Sequence, residues 1–350
     1  MRTQGYLAFA AGILLTVISC MQVRDAQQAG IRATFARDTE KIASDANVRL
    51  QIYVDMLLSV KGTFAVNENI SRRQFALFVR ELKLSQRYPG FLAIQFVRVV
   101  PADGLARFTA AVRADTSLDP AGNPLFEVHP KVPRGEHYII EYSEPLAGNE
   151  IAFGLDLAGL APHKAALELG RDTGKVVSTE RITLVQDQAG QPGFVARSPI
   201  YRQGMPLDTV EQRRTALTGW VAIVFKVNTL MREVIDDSLM TQLAVQIHDA
   251  GNVSDGASMP PGPGNIMFAR SDAGSNKIAA LSTEKRLRVA QRQWVARFDA
   301  LPGPRYSANP SMVLWVAACG VLISALFAAL LIANERNRRL AAQVNGTPGK

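Results

Sequence analysis

The sequence predicts an α+β protein in which a long N-terminal helix precedes two consecutive lobes with antiparallel sheets. One membrane-spanning helix is expected at each end. The 350 residues contain two apolar stretches without charges, residues 6–23 and 311–333. At 1.5 Å per helical residue, each stretch can cross a hydrocarbon layer of ~30 Å. Between them lie a helical apolar pattern and then short apolar runs separated by turn residues. This arrangement excludes an ordinary cytoplasmic enzyme.

The charges that flank the two stretches predict their orientation. Arg336, Arg338 and Arg339 follow the second stretch, and Arg2 precedes the first. Positive residues in short flanks stay in the cytoplasm. Residues 1–5 and the tail, 334–350, are therefore expected inside, and residues 24–310 outside the cytoplasm. About half of the net charge of +8 lies in these flanks, so nucleic-acid binding is not indicated.

The first apolar stretch has two other interpretations. Residues 17–20 loosely resemble a lipoprotein signal in which Cys20 would be lipidated, and a short apolar core is also typical of a cleaved signal peptide. No small-x-small cleavage site precedes Arg24, and the apolar run continues beyond Cys20, which favours an uncleaved anchor. The only other cysteine is Cys319. Because each cysteine lies within an apolar stretch, no disulfide framework is expected.

Residues 24–66 are predicted to form a stalk helix. Apolar side chains recur at intervals of 4, 3, 4, 3 and 4 residues, which places them on one helix face. The stripe is expected to pack either on the following domain or on a second copy of the chain, giving a homodimer. Its members are Ala46, Leu50, Tyr53, Leu57, Val60 and Phe64.

Residues 67–230 are predicted to form the membrane-distal lobe. Ser71 and Gln74 have the spacing of a capping box and predict the start of a helix, which ends near Pro89. A short helix is expected at 163–170 and a connecting helix at 227–240. Strands are expected at 92–100, 138–142, 151–157, 181–185, 194–200 and 220–227.

Residues 231–308 are predicted to form a smaller, membrane-proximal lobe. Strands are expected at 243–249 and at 287–298, where Trp294 is the large anchoring side chain. The sequence Leu-Pro-Gly-Pro at 301–304 ends the lobe just before the second apolar stretch.

The sequence contains no motif of a known active site. Zinc-protease, serine-hydrolase, phosphate-loop and dinucleotide motifs are all missing. The four histidines, His129, His137, His163 and His248, have no metal-ligand spacing. We therefore expect no catalytic residue, no metal and no cofactor.

Several motifs together resemble the CHASE family, the extracytoplasmic sensory domain of bacterial histidine kinases, nucleotide cyclases and plant cytokinin receptors. The resemblance covers about residues 60–302 and implies a stalk helix followed by two PAS-like lobes. The motifs are Phe-Ala-Leu-Phe-Val at 75–79, Arg-Tyr-Pro-Gly-Phe-Leu-Ala-Ile-Gln-Phe at 87–96, Tyr-Ser-Glu-Pro at 142–145, Gly-Leu-Asp-Leu at 154–157 and Arg-Asp-Thr-Gly at 171–174.

The resemblance also implies a ligand pocket in the distal lobe. Thr179 matches a pocket threonine, and His163 stands where cytokinin-binding members have a carboxylate that binds adenine. Phe96, Val185 and Phe194 would be wall residues. Other interpretations stay open: Thr179 as a plain strand residue, the apolar residues as ordinary core, and His163 as an exposed residue in the first turn of a helix. In a pocket, His163 could donate to an anionic or carbonyl-bearing ligand.

Two functions of different classes are compatible with this sequence. The first is a sensor in the bacterial inner membrane that binds a small molecule outside and signals to a cytoplasmic kinase or cyclase. The alternative is a non-catalytic scaffold whose extracytoplasmic part binds a protein. The 17 residues after Ala333 contain no output motif. The output is therefore expected in a separate protein or in a missing part of a longer chain.

Overall fold

The computed structural model describes residues 3–185, 190–270 and 281–345 of the chain. The helices are α1 (Thr3–Val66), α2 (Arg72–Glu81), α3 (Leu84–Arg87), α4 (Leu105–Arg113), α5 (Ala161–Thr173), α6 (Val210–Ala216), α7 (Val227–Val234), α8 (Asp237–Met240) and α9 (Pro310–Asn345). The strands are β1 (Phe91–Pro101), β2 (Glu136–Glu144), β3 (Val177–Ser178), β4 (Ile182–Thr183), β5 (Pro192–Tyr201), β6 (Leu217–Lys226), β7 (Leu243–Asn252), β8 (Ile266–Arg270), β9 (Ser282–Val289) and β10 (Arg292–Ala300).

The chain divides into two compact units. One unit comprises Met1–Asp38 and Ala300–Lys350, and the other comprises Thr39–Asp299. The predicted distal lobe, 67–230, lies in the second unit, and residues 300–308 of the predicted proximal lobe lie in the first. The boundary at residue 230 stays a prediction.

The larger unit contains two antiparallel sheets. The first has six strands in the order β2-β1-β6-β5-β3, with β4 also paired to β5. The second has four strands in the order β8-β7-β10-β9. The α+β class, the long N-terminal helix and the antiparallel sheets are thereby confirmed, whereas the likeness of the lobes to PAS domains stays a prediction.

One face of the first sheet packs on α1. Phe96 of β1 stacks on Phe64, with ring centroids 4.9 Å apart, and Phe225 of β6 stacks on Tyr53 at 4.2 Å. All six side chains of the predicted stripe are at most 4% exposed. Because the chain itself already buries this stripe, the stripe offers no exposed surface to a second copy. The expected homodimer would need another surface and stays a proposal.

Two sequence predictions of local structure are wrong. Residues 151–157 form no strand but contain two short 3-10 helices, Glu150–Ala152 and Leu157–Gly159. Between them Asp156 accepts hydrogen bonds from the backbone N–H groups of Tyr138 and Ala158. These hydrogen bonds stabilise a turn in place of the predicted strand. The expected single strand at 287–298 is the hairpin of β9 and β10, which turns at Ala290, where φ is +53°.

The strands predicted at 92–100, 138–142, 194–200, 220–227 and 243–249 are confirmed, whereas the predicted helix at 227–240 is divided into α7 and α8. Ser71 and Gln74 form the capping box, with each side chain bonded to the backbone of the other residue. Two helices, α4 and α6, were not predicted. A second capping box, of Thr209 and Gln212, begins α6, and its sequence spacing was a signal that could have revealed this helix.

The smaller unit brings the two apolar helices together through small residues. A side chain added at Gly12 would meet Ser324, and one at Gly320 would meet Thr16. Close approach at small residues is the usual way in which membrane helices pack. In the same unit, Arg305 binds both carboxylate oxygens of Asp38, at 2.8 and 3.0 Å. This bidentate contact fixes the segment before α9 to α1.

Candidate functional site

The face of the first sheet opposite α1 encloses a small cavity. Its volume is about 30 Å³, and it lies between the sheet, α5 and the segment Ile182–Val185. Its polar lining includes Gln95, His163 and Arg197. Most of the remaining wall is aliphatic, so the few polar groups of the wall determine what the cavity can bind.

The strand register explains why there is room for a cavity. Gln95 of β1 and Arg197 of β5 both lie opposite Ala222 of β6. The two long polar side chains therefore stand on the same face of the sheet, on either side of one methyl group. Above them, α5 is fixed to the sheet by the indole N–H of Trp220, which donates to the Leu167 carbonyl at 3.1 Å. A short residue between two long ones leaves a gap under this helix.

Arg197 is the most unusual residue of the cavity wall. Its side chain is completely buried, and its Nη2 lies 2.7 Å from Nδ1 of His163. Its Nε and Nη1 are buried without a hydrogen-bond partner among the described residues. Burial lowers the pKa of this guanidinium to about 9, because the protein interior disfavours its charge. The group nevertheless remains protonated at neutral pH.

The contact with Arg197 determines the tautomer of His163. A guanidinium has only donors, so Nδ1 must accept the hydrogen bond and Nε2 must carry the proton. Burial, and then the nearby charge of Arg197, lower the pKa of His163 to about 3. The imidazole is therefore neutral at physiological pH and neutralises none of the buried positive charge.

The structure brings two of the five predicted site residues, His163 and Val185, to the cavity wall. His163 lies in the first turn of α5, as one interpretation expected, but it is only partly exposed there. Thr179 is not among the residues that line the cavity, and its Oγ1 accepts a hydrogen bond from the backbone N–H of the cavity residue Val195 at 3.1 Å. The threonine hydroxyl is thus engaged in holding the edge of β5.

The structure does not bring Phe96 and Phe194 to this cavity. Phe96 packs on Phe64 of α1, and Phe194 packs edge-on against Trp294 of β10, with centroids 5.1 Å apart. Successive residues of a strand point to opposite faces. Phe96 follows the cavity residue Gln95 and Phe194 precedes the cavity residue Val195, so both rings lie on the other face.

Sequence reasoning missed Gln95 and Arg197. Both occur within apolar strand runs, in Ile94-Gln95-Phe96 and Ala196-Arg197-Ser198. A polar residue in a run that is buried on both faces is a signal of function or of a buried partner. The two residues could therefore have been noticed in the sequence. That both lie opposite Ala222 of β6 could not.

A second, larger concavity of about 490 Å³ opens beside α2, α3 and residues 144–147. It is open to solvent, and the charged groups of its lining that are buried have partners. Arg72 donates to Asn123, and Glu144 lies 3.9 Å from Arg80. We favour the smaller cavity despite its size, because unsatisfied buried donors occur there. Among the described residues, no group of three or more His, Cys, Asp or Glu side chains could hold a metal ion.

The comparison with protein families agrees with a sensory role. The family model of the CHASE domain matches residues 68–259, which is more than half of the chain. A membrane-anchored sensory domain is thus the class of protein that the fold and the match define. The chain belongs to the CHASE-domain family. The two apolar helices on either side of this domain fit a two-pass membrane protein.

Solved structures with similarity to this chain include three receptor or chemotaxis proteins. An extracellular ligand-binding receptor from Desulfohalobium retbaense DSM5692 is 9% identical over 75% of this chain, with a TM-score of 0.44. This chain spans only 40% of that receptor. Methyl-accepting chemotaxis protein X is 10% identical over 79% of this chain and 98% of its own, with a TM-score of 0.45.

The ligand-binding domain of the Pseudomonas aeruginosa PAO1 amino acid chemoreceptor PctC, in complex with GABA, is also similar. It is 12% identical over 77% of this chain and 99% of its own, with a TM-score of 0.40. No curated protein sequence matches the chain.

Proposed function

We propose that this protein is a sensor in a bacterial inner membrane that binds a small molecule in the cavity beside Arg197. The observation that carries the proposal is the pair of unsatisfied nitrogen atoms, Nε and Nη1, on a completely buried guanidinium that lines a cavity. Buried polar groups in proteins are nearly always hydrogen-bonded, and the exceptions often mark functional positions. A ligand would supply the missing acceptors.

The strands of the cavity wall supply a route for the signal. Gln95 and Val195 line the cavity, whereas their neighbours Phe96 and Phe194 contact Phe64 of α1 and Trp294 of β10 on the other face. A ligand that shifts β1 or β5 would therefore change the packing of elements that continue toward both apolar helices. Only a difference in affinity for two arrangements can drive such a change, typically by 1–3 kcal/mol.

The orientation and the partners are parts of the same proposal. Residues 24–310 would lie outside the cytoplasm, as the positive flanks predict. A cytoplasmic kinase or cyclase would receive the signal, either as a separate protein or in a longer form of this chain. Pairing of two copies would use surfaces other than the buried stripe of α1.

The small volume of the cavity favours a second candidate, the scaffold. A volume of about 30 Å³ admits only one or two water molecules. If the cavity never opens further, the domain is a packed body that presents only its outer surface. A scaffold that binds a protein partner would need nothing more.

Thermal unfolding of the full chain in lipid nanodiscs separates the two functions. Millimolar carboxylates, amines, purines and sugars would be tested for a rise in melting temperature. A sensor predicts that at least one compound stabilises the wild type, since a ligand at 100 times its Kd adds ~2.7 kcal/mol.

Two matched variants locate the effect. Val195→Ile adds a methyl group to the cavity wall and should reduce the stabilisation, whereas Val210→Ile, on an exposed helix, should not. A folded wild type that responds to no compound would favour the scaffold.

A further inference from the structure

The surroundings of Arg197 reveal which charge a ligand should carry, provided that the proposed sensor function holds. No described carboxylate lies within 4.0 Å of this guanidinium, although other arginines of the same unit have such partners. Arg214 binds Asp172 and Arg292 binds Asp249. Arg197 is the more deeply buried cation, yet its one partner within hydrogen-bond distance is an imidazole. An uncompensated buried charge is costly, and an anion would offset that cost.

His163 cannot act as the missing counter-charge. Because its Nδ1 accepts from Arg197, the imidazole is neutral, and the strong depression of its pKa keeps it so. The imidazole satisfies one N–H of a group that has five donors. A ligand with two adjacent oxygen acceptors matches the planar fork that a guanidinium presents.

The rest of the wall selects against other ligand classes. Among the described residues that line the cavity, none is Asp or Glu. An ammonium group would therefore enter beside a buried cation without a counter-charge. Most of the other lining side chains are aliphatic, among them Leu155, Leu157 and Val224. These walls suit a short hydrocarbon chain and disfavour a second carboxylate.

The volume limits the length of that chain. The cavity has room for only one or two water-sized groups, so a ligand must be small and must displace part of the wall. The segment with Leu184 and Val185 is the weakest part, because the two-residue strand β4 holds it to β5. Val185 is already 48% exposed.

We propose that the ligand of this cavity is a short aliphatic monocarboxylate and that Arg197 binds its carboxylate group.

Three probes of similar size but different charge test whether the cavity recognises an anion. The full chain in nanodiscs would be titrated with sodium propionate, propionamide and propylamine, with sodium chloride as the control for ionic strength. Propionate should raise the melting temperature in a saturable manner, and the amide and the amine should not. Equal shifts with propionate and propionamide would overturn anion recognition.

Two arginine variants test the site. Arg197→Gln should weaken propionate binding by about tenfold or more, because hydrogen bonds to charged groups are the stronger ones. Arg202→Gln, an exposed position at the end of β5, is the matched control and should bind as the wild type does. Full propionate binding by Arg197→Gln would place the carboxylate elsewhere and refute the assignment.

A further variant keeps the test valid if Arg197→Gln does not fold. His163→Asp places a carboxylate beside Nη2 of Arg197, so the internal ion pair should replace the ligand. We expect a higher melting temperature without ligand and no response to propionate. An undiminished response would contradict the proposal.

Failure of this inference differs from failure of the proposed function. A neutral compound that stabilises the wild type but not Val195→Ile would preserve the sensor and exclude the carboxylate. If no compound stabilised the wild type, both the carboxylate inference and the proposed sensor function would be refuted.

Discussion

At the scale of single residues, Thr179 shows how a residue implied by a resemblance can have a structural role. Its backbone N–H donates to the Val195 carbonyl at 3.0 Å, and its Oγ1 accepts from the Val195 N–H at 3.1 Å. The side chain thereby replaces a backbone acceptor at the edge of β5. Any substitution that removes the hydroxyl breaks this pairing, whether or not a ligand is present.

Thr179→Val should lower the free energy of unfolding by about 1–3 kcal/mol, because it leaves the buried Val195 N–H without an acceptor. Denaturant titration of the full chain in detergent measures the change. Thr215→Val is the control, since its hydroxyl is exposed and bonds only within α6. Equal, small effects of the two substitutions would show that the hydroxyl of Thr179 is dispensable.

His163 predicts a dependence of stability on pH. Its pKa falls from 6.5 in the unfolded chain to about 3 in the folded protein. Between these values the unfolded chain binds a proton that the folded protein does not. Stability is therefore complete above pH 6.5 and decreases as the pH falls, by at most about 1.4 kcal/mol per pH unit.

The comparison of wild type with His163→Asn measures this effect. Asparagine keeps an acceptor for Arg197 but does not titrate. The difference in unfolding free energy between the two proteins should grow from pH 6.5 to pH 5 in favour of the variant. Parallel pH profiles would mean that His163 titrates normally in the folded protein.

At the scale of elements, the hairpin of β9 and β10 is connected to the first sheet through its turn. The side-chain amide of Gln291 accepts from the Ser178 N–H at 2.7 Å and donates to the Ser178 carbonyl at 2.9 Å. Gln291 thereby pairs with the free edge of β3 as a neighbouring strand would. The contact crosses the boundary predicted between the lobes.

Gln291→Ala should destabilise the protein by about 1–3 kcal/mol, because both backbone groups of Ser178 lose their partner. Hydrogen exchange should show faster exchange of the Ser178 amide. Gln293→Ala, two residues further on, serves as the control, since its side chain forms none of the described hydrogen bonds. An unchanged exchange rate at Ser178 would show that the contact does not protect this edge.

The same hairpin shows why its turn could not be predicted from the sequence. The run at 287–298 alternates well enough for one strand, and Ala290 is a poor indicator of a turn because alanine rarely adopts positive φ. The helix α2 was predictable because its capping box lies within four consecutive residues. Signals that lie within a few residues of one another can be read locally, whereas the turn at Ala290 is imposed by the pairing of β9 with β10.

At the scale of the whole molecule, the testable feature is the membrane topology. In a chain with Cys20→Ser and Cys319→Ser, a single cysteine would be placed at Ser254 or at Arg338, both exposed. A membrane-impermeant maleimide should label Ser254→Cys in spheroplasts, and Arg338→Cys only after the membrane is opened. Labelling of Arg338→Cys in sealed spheroplasts would reverse the proposed orientation.

An N-terminal tag on the same proteins tests the first apolar stretch. Retention of the tag indicates an uncleaved anchor, which the sequence favours. Its loss, with or without a lipid on Cys20 in the natural chain, would indicate processing before residue 24.

The sequence by itself determined the class of this protein. Apolar length, flanking charge, helical spacing and family motifs are all properties of consecutive residues, so the two membrane helices, the long helix and the CHASE relationship could be recognised without coordinates. The tertiary structure alone decided which side chains share the cavity. Gln95 and Arg197 are about a hundred residues apart and meet because both pair opposite Ala222. Their strand neighbours Phe96 and Phe194 face α1 and β10 instead, because strand register assigns each side chain to a face only when the sheet assembles.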